Sequence, residues 1–171
     1  GKRLAEQGYT VVTGGAAGIA EAANKGAMEA GGQSFGIGME VHGKARINPY
    51  VNKSIMFRFP FTRKLIVSAP SKAFIFFPGG FGPLHQLFEV LTLIQTGKME
   101  RLPIILFDSK FWSPMDAYIR EELVKRYGTI AATDADIYSI VDDEEEMIGL
   151  IDTFRHKVTK RFGLQFDGKD T

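Results

Sequence analysis

The chain contains no cysteine, which excludes disulfide bonds, thiolate catalysis and zinc sites built on cysteine. Histidine is also scarce, and His42, His85 and His156 lack the spacing of metal ligands. No apolar run approaches the roughly 20 residues that a membrane-spanning helix needs. The formal net charge is only +1, so no strong field attracts nucleic acid or a membrane. We therefore expect a cytoplasmic protein that uses no metal or other cofactor and binds neither nucleic acid nor membrane.

What the chain does have is an ordinary globular composition, with 44% hydrophobic and 24% charged residues. Short apolar runs alternate with amphipathic segments. The predicted strands are residues 9–13, 33–39, 55–59, 72–77, 103–107 and 137–141, and the predicted helices are residues 16–30, 60–69, 83–97, 113–127 and 144–160. This alternation predicts an α/β fold whose parallel strands are buried on both faces. The length fits a single domain, which we place at 1–162, followed by a frayed tail at 163–171.

Several local signals make finer predictions. Residues 40–54, with His, Gly, Asn and Pro, are typical of a long loop. Ser113 is predicted to cap a helix that has Pro114 in its first position, and Pro83 is predicted to open another helix. The acidic run at 142–146 is predicted to cap and stabilise the start of the last helix.

Two glycine turns follow predicted strands, at 14–18 and at 78–82. In open parallel sheets, ligands bind beyond the carboxyl ends of the strands, where both turns fall. The second turn has three glycines in four positions and opens a helix, so its backbone can approach an anion near free N–H groups. The first turn is compatible with a phosphate contact or with a tight packing turn. With Glu40, it is also a weak match to the dinucleotide fingerprint G-x-G-x-x-G.

Four segments, in order along the chain, resemble the LONELY GUY family, long labelled lysine decarboxylase-like. Residues 78–86 resemble its P-G-G-x-G-T-x-x-E signature, and residues 13–23 resemble T-G-G-G-x-x-G-I-M-E-A-A. Asn48-Pro49-Tyr50 resembles an N-P-Y/F element, and Arg63-Lys64 matches an R-K pair. The resemblance extends over residues 4–152, nearly the whole chain.

The resemblance implies a Rossmann-like, doubly wound parallel sheet with helices on both faces, in a homodimer or higher oligomer. It implies hydrolysis of the N-glycosidic bond of an AMP-like nucleoside 5′-monophosphate, releasing a base, such as a cytokinin, and ribose 5-phosphate. Arg63 and the position of Gln86 would carry the chemistry, with Glu89 as a substitute carboxylate one turn later. Phosphate and nucleotide binding would fall to Gly14, Gly15, Gly18, Lys64, Gly79, Gly80, Phe81 and Gly82.

The chain also departs from the family pattern. Gln86 replaces the signature Glu and cannot act as a base, and Pro83 replaces Thr and offers neither a hydroxyl nor an N–H. The family's first strand would precede Gly1, so we expect a sheet that lacks it. Three hypotheses follow: a phosphoribohydrolase with weak activity, a catalytically silent relative that binds a nucleotide or an active partner, and a dinucleotide-dependent oxidoreductase that uses Glu40.

Overall fold

The computed structural model describes residues 1–41, 44–45, 47–58 and 71–162. The chain divides into two compact units, one from Gly1 to Ser71 and one that begins at Lys72. Each unit contains three parallel strands whose second member pairs on both sides. Parallel strands alternating with helices confirm the predicted fold class. A single domain over 1–162 remains a prediction.

The first unit is built around its longest strand. Its elements are α1 (Lys2–Glu6), β1 (Val11–Thr13), α2 (Ile19–Glu29), β2 (Ser34–Val41), β3 (Lys44–Ala45) and β4 (Lys53–Phe57). The β2 strand pairs in parallel with β1, where Val11 lies opposite Ser34, and with β4, where Phe35 lies opposite Lys53. The short β3 pairs antiparallel with the end of β2. The carboxyl end of β1 therefore leads directly into the first glycine turn.

The predicted loop at 40–54 is wrong in three places, because β3 (Lys44–Ala45) lies inside it and strands extend into both of its ends. The β2 strand continues to Val41, and β4 begins at Lys53. Both extensions are stabilised by pairing: Glu40 lies opposite Ala45, and Asn52 donates its backbone N–H to the carbonyl oxygen of Ser34 at 2.8 Å. Ser34 and Asn52 are 18 residues apart, so a local composition signal does not reveal the start of β4.

Two glycines, Gly31 and Gly32, end the helix α2. Gly31 adopts a left-handed φ of 71° immediately after the end of α2. Its N–H bonds to the carbonyl of Met28 and that of Gly32 to the carbonyl of Ala27, both at 2.9 Å. These two bonds form a Schellman motif, which satisfies carbonyls that a helix end leaves without partners.

The second unit alternates strands and helices more regularly. Its elements are β5 (Phe74–Phe76), α3 (Phe81–Gln95), β6 (Ile104–Phe107), α4 (Ser109–Tyr118) with a π-helical continuation (Ile119–Arg126), a 3₁₀ helix (Ala132–Asp136), β7 (Tyr138–Val141) and α5 (Glu144–Phe162). The sheet order is β5-β6-β7, all parallel. Ile104, Ile105 and Leu106 of the central strand are all buried, as a strand covered on both faces requires.

Trp112 anchors α4 to this sheet. Its side chain is fully buried, and its indole N–H donates to the carbonyl of Phe107 at 3.0 Å. A buried indole needs such an acceptor, because an unpaired buried donor would cost free energy.

The predicted Ser113 cap is wrong. The helix begins at Ser109, and its cap is Asp108, whose carboxylate accepts from the N–H of Lys110 at 3.1 Å. Asp108 has a φ of 89°, which is uncommon for a residue other than glycine. Pro114 therefore lies inside the helix rather than in its first position.

The two aspartates before α5 have separate roles. Asp143 accepts from the N–H of Glu146 at 2.8 Å, so it is the cap that the sequence predicts for this helix. Asp142 instead accepts from the backbone N–H of Ser109 at 2.7 Å and joins the end of β7 to the start of α4.

Among the described helices, none combines the length and apolar character that crossing a lipid bilayer would need.

Candidate functional site

The second glycine turn joins a buried strand to an exposed helix start. Phe74 and Phe76 of β5 are buried, and α3 begins at Phe81, immediately after Gly80. Gly80 provides no side-chain cap, and its carbonyl accepts from the N–H of Leu84 at 3.3 Å. The turn lies at the carboxyl end of a parallel strand and at the N-terminus of a 15-residue helix, which is suited to binding an anion.

Pro83 is the third residue of α3, so the prediction that it opens the helix is wrong by two positions. Proline is tolerated there because the first four N–H groups of a helix have no intrahelical acceptor. Its ring packs on Gly79: a Cβ added to Gly79 would lie 2.5 Å from Pro83 Cγ. Among the described residues, by contrast, a Cβ added to Gly80 or Gly82 would meet nothing within 4 Å. Space for a ligand therefore exists at Gly80 and Gly82 but not beside Gly79.

Phe81 stands at the apex of this turn with 92% of its surface exposed. Its predicted contribution to phosphate binding would come from its backbone N–H, since a phenyl ring does not attract an anion. Gln86 and Glu89 lie further along α3 on a half-buried face, one turn apart. Leu87 and Val90, next to them in sequence, are fully buried and hold this part of the helix against the core.

The signature residues 78–86 lie in the turn that follows β5 and in the first residues of α3. Arg63 and Lys64 lie outside the described residues, and so does His42. His85 and His156 are exposed on α3 and α5. Within the described part of the chain, no three His, Asp or Glu side chains are grouped as metal ligands would be.

In the first glycine turn, conformation and packing both require glycine. Gly15 and Gly18 have φ of 70° and 84°, a region that side chains disfavour. A Cβ on Gly15 would also lie 2.5 Å from Ile47 Cδ1. Backbone conformation therefore accounts for both glycines, and packing adds a second reason at Gly15, whether or not a phosphate binds here.

Sequence reasoning missed a buried polar cluster behind this turn. Its central residues, Asn24, Ser34 and Asn48, are 0%, 1% and 8% exposed. Asn48 belongs to the Asn-Pro-Tyr element, whose only sequence signal is its resemblance to a family element. Asn24 stands on the buried face of α2, where an apolar residue is usual. That polar residue at a core position was the available signal.

A second polar cluster joins α4 to β7. Asp116 accepts the hydroxyl of Tyr138 at 2.6 Å and two hydrogen bonds from Arg120 Nε at 3.0 and 3.1 Å. Arg120 also reaches Asp136 and the carbonyl of Ala135. Burial, aided by the hydrogen bond to Asp116, raises the pKa of the Tyr138 hydroxyl far above its usual range. The partners are all within the cluster, which indicates a structural clamp on the 3₁₀ segment.

Comparisons with known proteins agree with the fold. Residues 20–151 match the family described as "Possible lysine decarboxylase". A cytokinin riboside 5′-monophosphate phosphoribohydrolase of Rhodococcoides fascians is 33% identical over 69 residues, which are 40% of this chain. The chain spans about a third of that relative's length, 35%.

Solved structures show the same architecture at lower identity. The molybdenum cofactor carrier protein of Chlamydomonas reinhardtii has a TM-score of 0.65 at 20% identity, over 91% of this chain and 82% of that one. The molybdenum cofactor binding protein of Rippkaea orientalis has a TM-score of 0.63 at 22% identity, over 89% and 81% of the two chains. These likenesses establish a Rossmann-like fold.

Proposed function

Because the chain belongs to the lysine decarboxylase-like family, which includes the LONELY GUY proteins, we propose that it is a nucleoside 5′-monophosphate phosphoribohydrolase-type protein. The reaction hydrolyses the N-glycosidic bond and releases a free base and ribose 5-phosphate. The observation that carries the proposal is the Pro78–Gly82 turn, which lies at the carboxyl end of β5 and opens α3. The named activity of the Rhodococcoides relative supports the same substrate class.

The phosphate is the part of the substrate that this turn suits. The N-terminus of α3 offers N–H groups and about half a positive charge. Gly80 and Gly82 have open space where a side chain would stand, so an anion can approach the backbone there. The Gly14–Gly18 turn is a second glycine turn with free backbone for a nucleotide, and Lys64 and Arg63 would add positive charge, as the resemblance implies.

The chemistry depends on how the chain stabilises positive charge on the ribose. Breaking a glycosidic bond gives an oxocarbenium-like transition state, which a nearby carboxylate stabilises. Gln86 offers a neutral amide at that position, so its contribution is limited to hydrogen bonding. Loss of general acid or base help lowers a rate by about 10²–10⁴-fold, so we expect slow hydrolysis. Glu89, one helical turn away, is the carboxylate that could support the residual rate, and Arg63 would orient it or the phosphate.

A second candidate is a catalytically silent relative that binds the nucleotide or an active partner. Gln86 and Pro83 favour it, because both changes fall on functional positions while the glycines of the turn are retained. Pro83 removes a hydroxyl and an N–H from the first turn of α3, where a phosphate would bind. A silent relative that binds the nucleotide shares the binding site of the enzyme and differs from it only in turnover.

The experiment that tests both is incubation of the purified protein with a panel of nucleoside 5′-monophosphates. Chromatography follows free base and ribose 5-phosphate, and calorimetry measures binding in parallel. Release of base supports the phosphoribohydrolase, and binding without release supports the silent relative that binds a nucleotide. The absence of both release and binding contradicts these two and favours a relative that only assembles with a partner. Gly82→Asp protein is the control, because it places a negative charge at the phosphate position without an internal clash.

Oligomerisation and location are further parts of the proposal. We expect a homodimer or higher oligomer in the cytoplasm, as the resemblance implies. Light scattering coupled to size-exclusion chromatography measures the mass directly. A monomer at micromolar concentration would contradict the oligomer.

A further inference from the structure

We infer that Thr13 and Asn24 are positioning residues that hold the first glycine turn in its binding conformation before any ligand arrives. The inference rests on the proposed nucleotide site. The family resemblance identifies the glycines of this turn but does not say which groups fix their conformation. Glycine has the freest backbone of all residues, so a glycine turn keeps one conformation only if other groups fix it.

The hydrogen bonds around Gly15 fix the turn from both sides. The N–H of Gly15 donates to Thr13 Oγ1 at 2.9 Å, and Thr13 Oγ1 donates to Asn24 Oδ1 at 2.6 Å. The carbonyl of Gly15 accepts from the backbone N–H of Asn48 at 2.8 Å and from its Nδ2 at 3.2 Å. Asn48 Nδ2 also lies 2.9 Å from Asn24 Oδ1. Both polar groups of the Gly15 backbone are therefore used within the protein.

The amide nitrogen of Asn24, opposite its bond to Thr13, also has a defined hydrogen-bond partner. Asn24 Nδ2 donates to Ser34 Oγ at 2.8 Å, and Ser34 Oγ donates to the carbonyl of Tyr50 at 2.7 Å. The backbone N–H of Ser34 donates to Asn52 Oδ1 at 2.7 Å. The network thus joins the glycine turn to β2 and to the segment that precedes β4.

The backbone groups at the two ends set the direction of every bond between them. The Gly15 N–H can only donate, so Thr13 Oγ1 accepts from it and must donate its own hydrogen bond to Asn24 Oδ1. The Tyr50 carbonyl can only accept, so Ser34 must donate to it and accept from Asn24. One amide orientation of Asn24 satisfies both demands. A network whose central residues Asn24, Ser34 and Asn48 are buried, and which has a single allowed arrangement, specifies a single conformation of the turn.

The same bonds decide which parts of the turn a ligand can use. The Gly15 N–H is bound to Thr13, so it is not available to a phosphate. Within the described residues, no hydrogen bond uses the N–H groups of Ala16, Ala17 or Gly18. The network therefore holds Gly15 still while the three amides that follow it remain for the nucleotide.

Thr13→Val tests this inference because it keeps the shape of the side chain and removes both hydrogen bonds. Thr13→Ser is the matched control, since it keeps the hydroxyl. In ligand-free wild-type protein we expect the Gly15 amide to be protected from hydrogen exchange. In Thr13→Val its protection factor should fall about tenfold, and in Thr13→Ser it should remain close to that of the wild type. AMP binding by calorimetry should weaken about tenfold in Thr13→Val and stay within about threefold of the wild type in Thr13→Ser.

The outcomes separate this inference from the proposed function. If wild-type protein binds no nucleoside 5′-monophosphate, the proposed function fails, and the exchange rates still decide whether the turn is preset. An unprotected Gly15 amide in ligand-free wild type overturns the inference, and this measurement does not require Thr13→Val to fold. The positioning role is also overturned if Thr13→Val lowers the protection of the Gly15 amide but leaves the affinity for AMP unaltered. Urea unfolding of each variant shows that weakened binding is measured on folded protein.

Discussion

The ring of Pro83 occupies the space that a side chain on Gly79 would need. The second glycine turn therefore contains glycines of two kinds. Gly79 is required by an intramolecular contact, whereas Gly80 and Gly82 face open space. Glycines of the second kind are the ones whose bare backbone a ligand could use.

Gly79→Ala should destabilise the protein, because the new methyl group would overlap Pro83 Cγ. We expect the free energy of unfolding to fall by about 1–3 kcal/mol, as in other overpacked sites. The double variant Gly79→Ala/Pro83→Ala should recover most of this loss, since the second change removes the ring. Urea unfolding of the two single variants and the double variant measures the coupling. Purely additive losses would show that the ring is not the cause.

Gly82→Asp should weaken nucleotide binding without harming the fold. An aspartate in the first turn of α3 interacts favourably with the helix dipole, so stability should change by less than about 1 kcal/mol. The same charge repels a phosphate, and we expect affinity for AMP to fall at least about tenfold. Gly82→Asn, of similar size but neutral, should lose much less. Equal binding by the aspartate variant and the wild type would place the phosphate elsewhere.

Gln86→Glu combined with Pro83→Thr should raise hydrolysis of nucleoside 5′-monophosphates. The carboxylate restores charge stabilisation of the ribose, and we expect about 10²–10⁴-fold faster release of base. Initial rates over a range of substrate concentrations separate kcat from KM. Our account of the two departures fails if the double variant folds and binds nucleotide but releases base no faster than the wild type.

The stability of the protein should contain an acid-sensitive contribution from Asp142. The hydrogen bond from the Ser109 backbone N–H, at 2.7 Å, lowers the pKa of this carboxyl group. A folded pKa below the unfolded one means that the contribution is present above the ordinary value of about 3.9 and is lost as the pH falls below it. Asp142→Asn removes the titration. Urea midpoints measured from neutral to acid pH should therefore fall less steeply in this variant, and parallel curves would contradict the assignment.

An alkaline contribution should come from Tyr138. Burial, followed by the hydrogen bond to Asp116, raises its pKa. A folded pKa above the unfolded one means that stability is constant below the ordinary value of about 10 and declines as the pH rises above it. Tyr138→Phe should cost about 1–2 kcal/mol at neutral pH and abolish this decline. Tyr118→Phe is the control, because Tyr118 is 58% exposed and should leave the alkaline decline unchanged.

The sequence predicted best those elements whose signals are local. The strand at 72–77 and the helix after it were found from an apolar run, three glycines and a regular spacing, and the structure places them at Phe74–Phe76 and Phe81–Gln95. The end of that helix is equally local: Gly97, with a φ of 68°, bonds to the carbonyl of Ile94. Glycine after a periodic segment is a signal that needs no distant partner.

Two of the failures depend on residues far along the chain. The start of α4 is determined partly by Asp142, 33 residues beyond Ser109, and by a positive φ at Asp108. No local pattern announces either feature. In the candidate site the glycines were found, whereas Asn24 was not, because its role depends on Asn48, 24 residues away.

The network behind the first glycine turn should make the conformation of the turn independent of pH. Its hydroxyl, carboxamide and peptide groups do not ionise at any pH that a cell reaches. The shape of the turn is therefore indifferent to protons, unlike a turn held by carboxylates or histidines. Any change in nucleotide affinity between mildly acid and neutral solution must then arise outside it, above all in the ligand, whose phosphate takes up a proton near a pH of about 6.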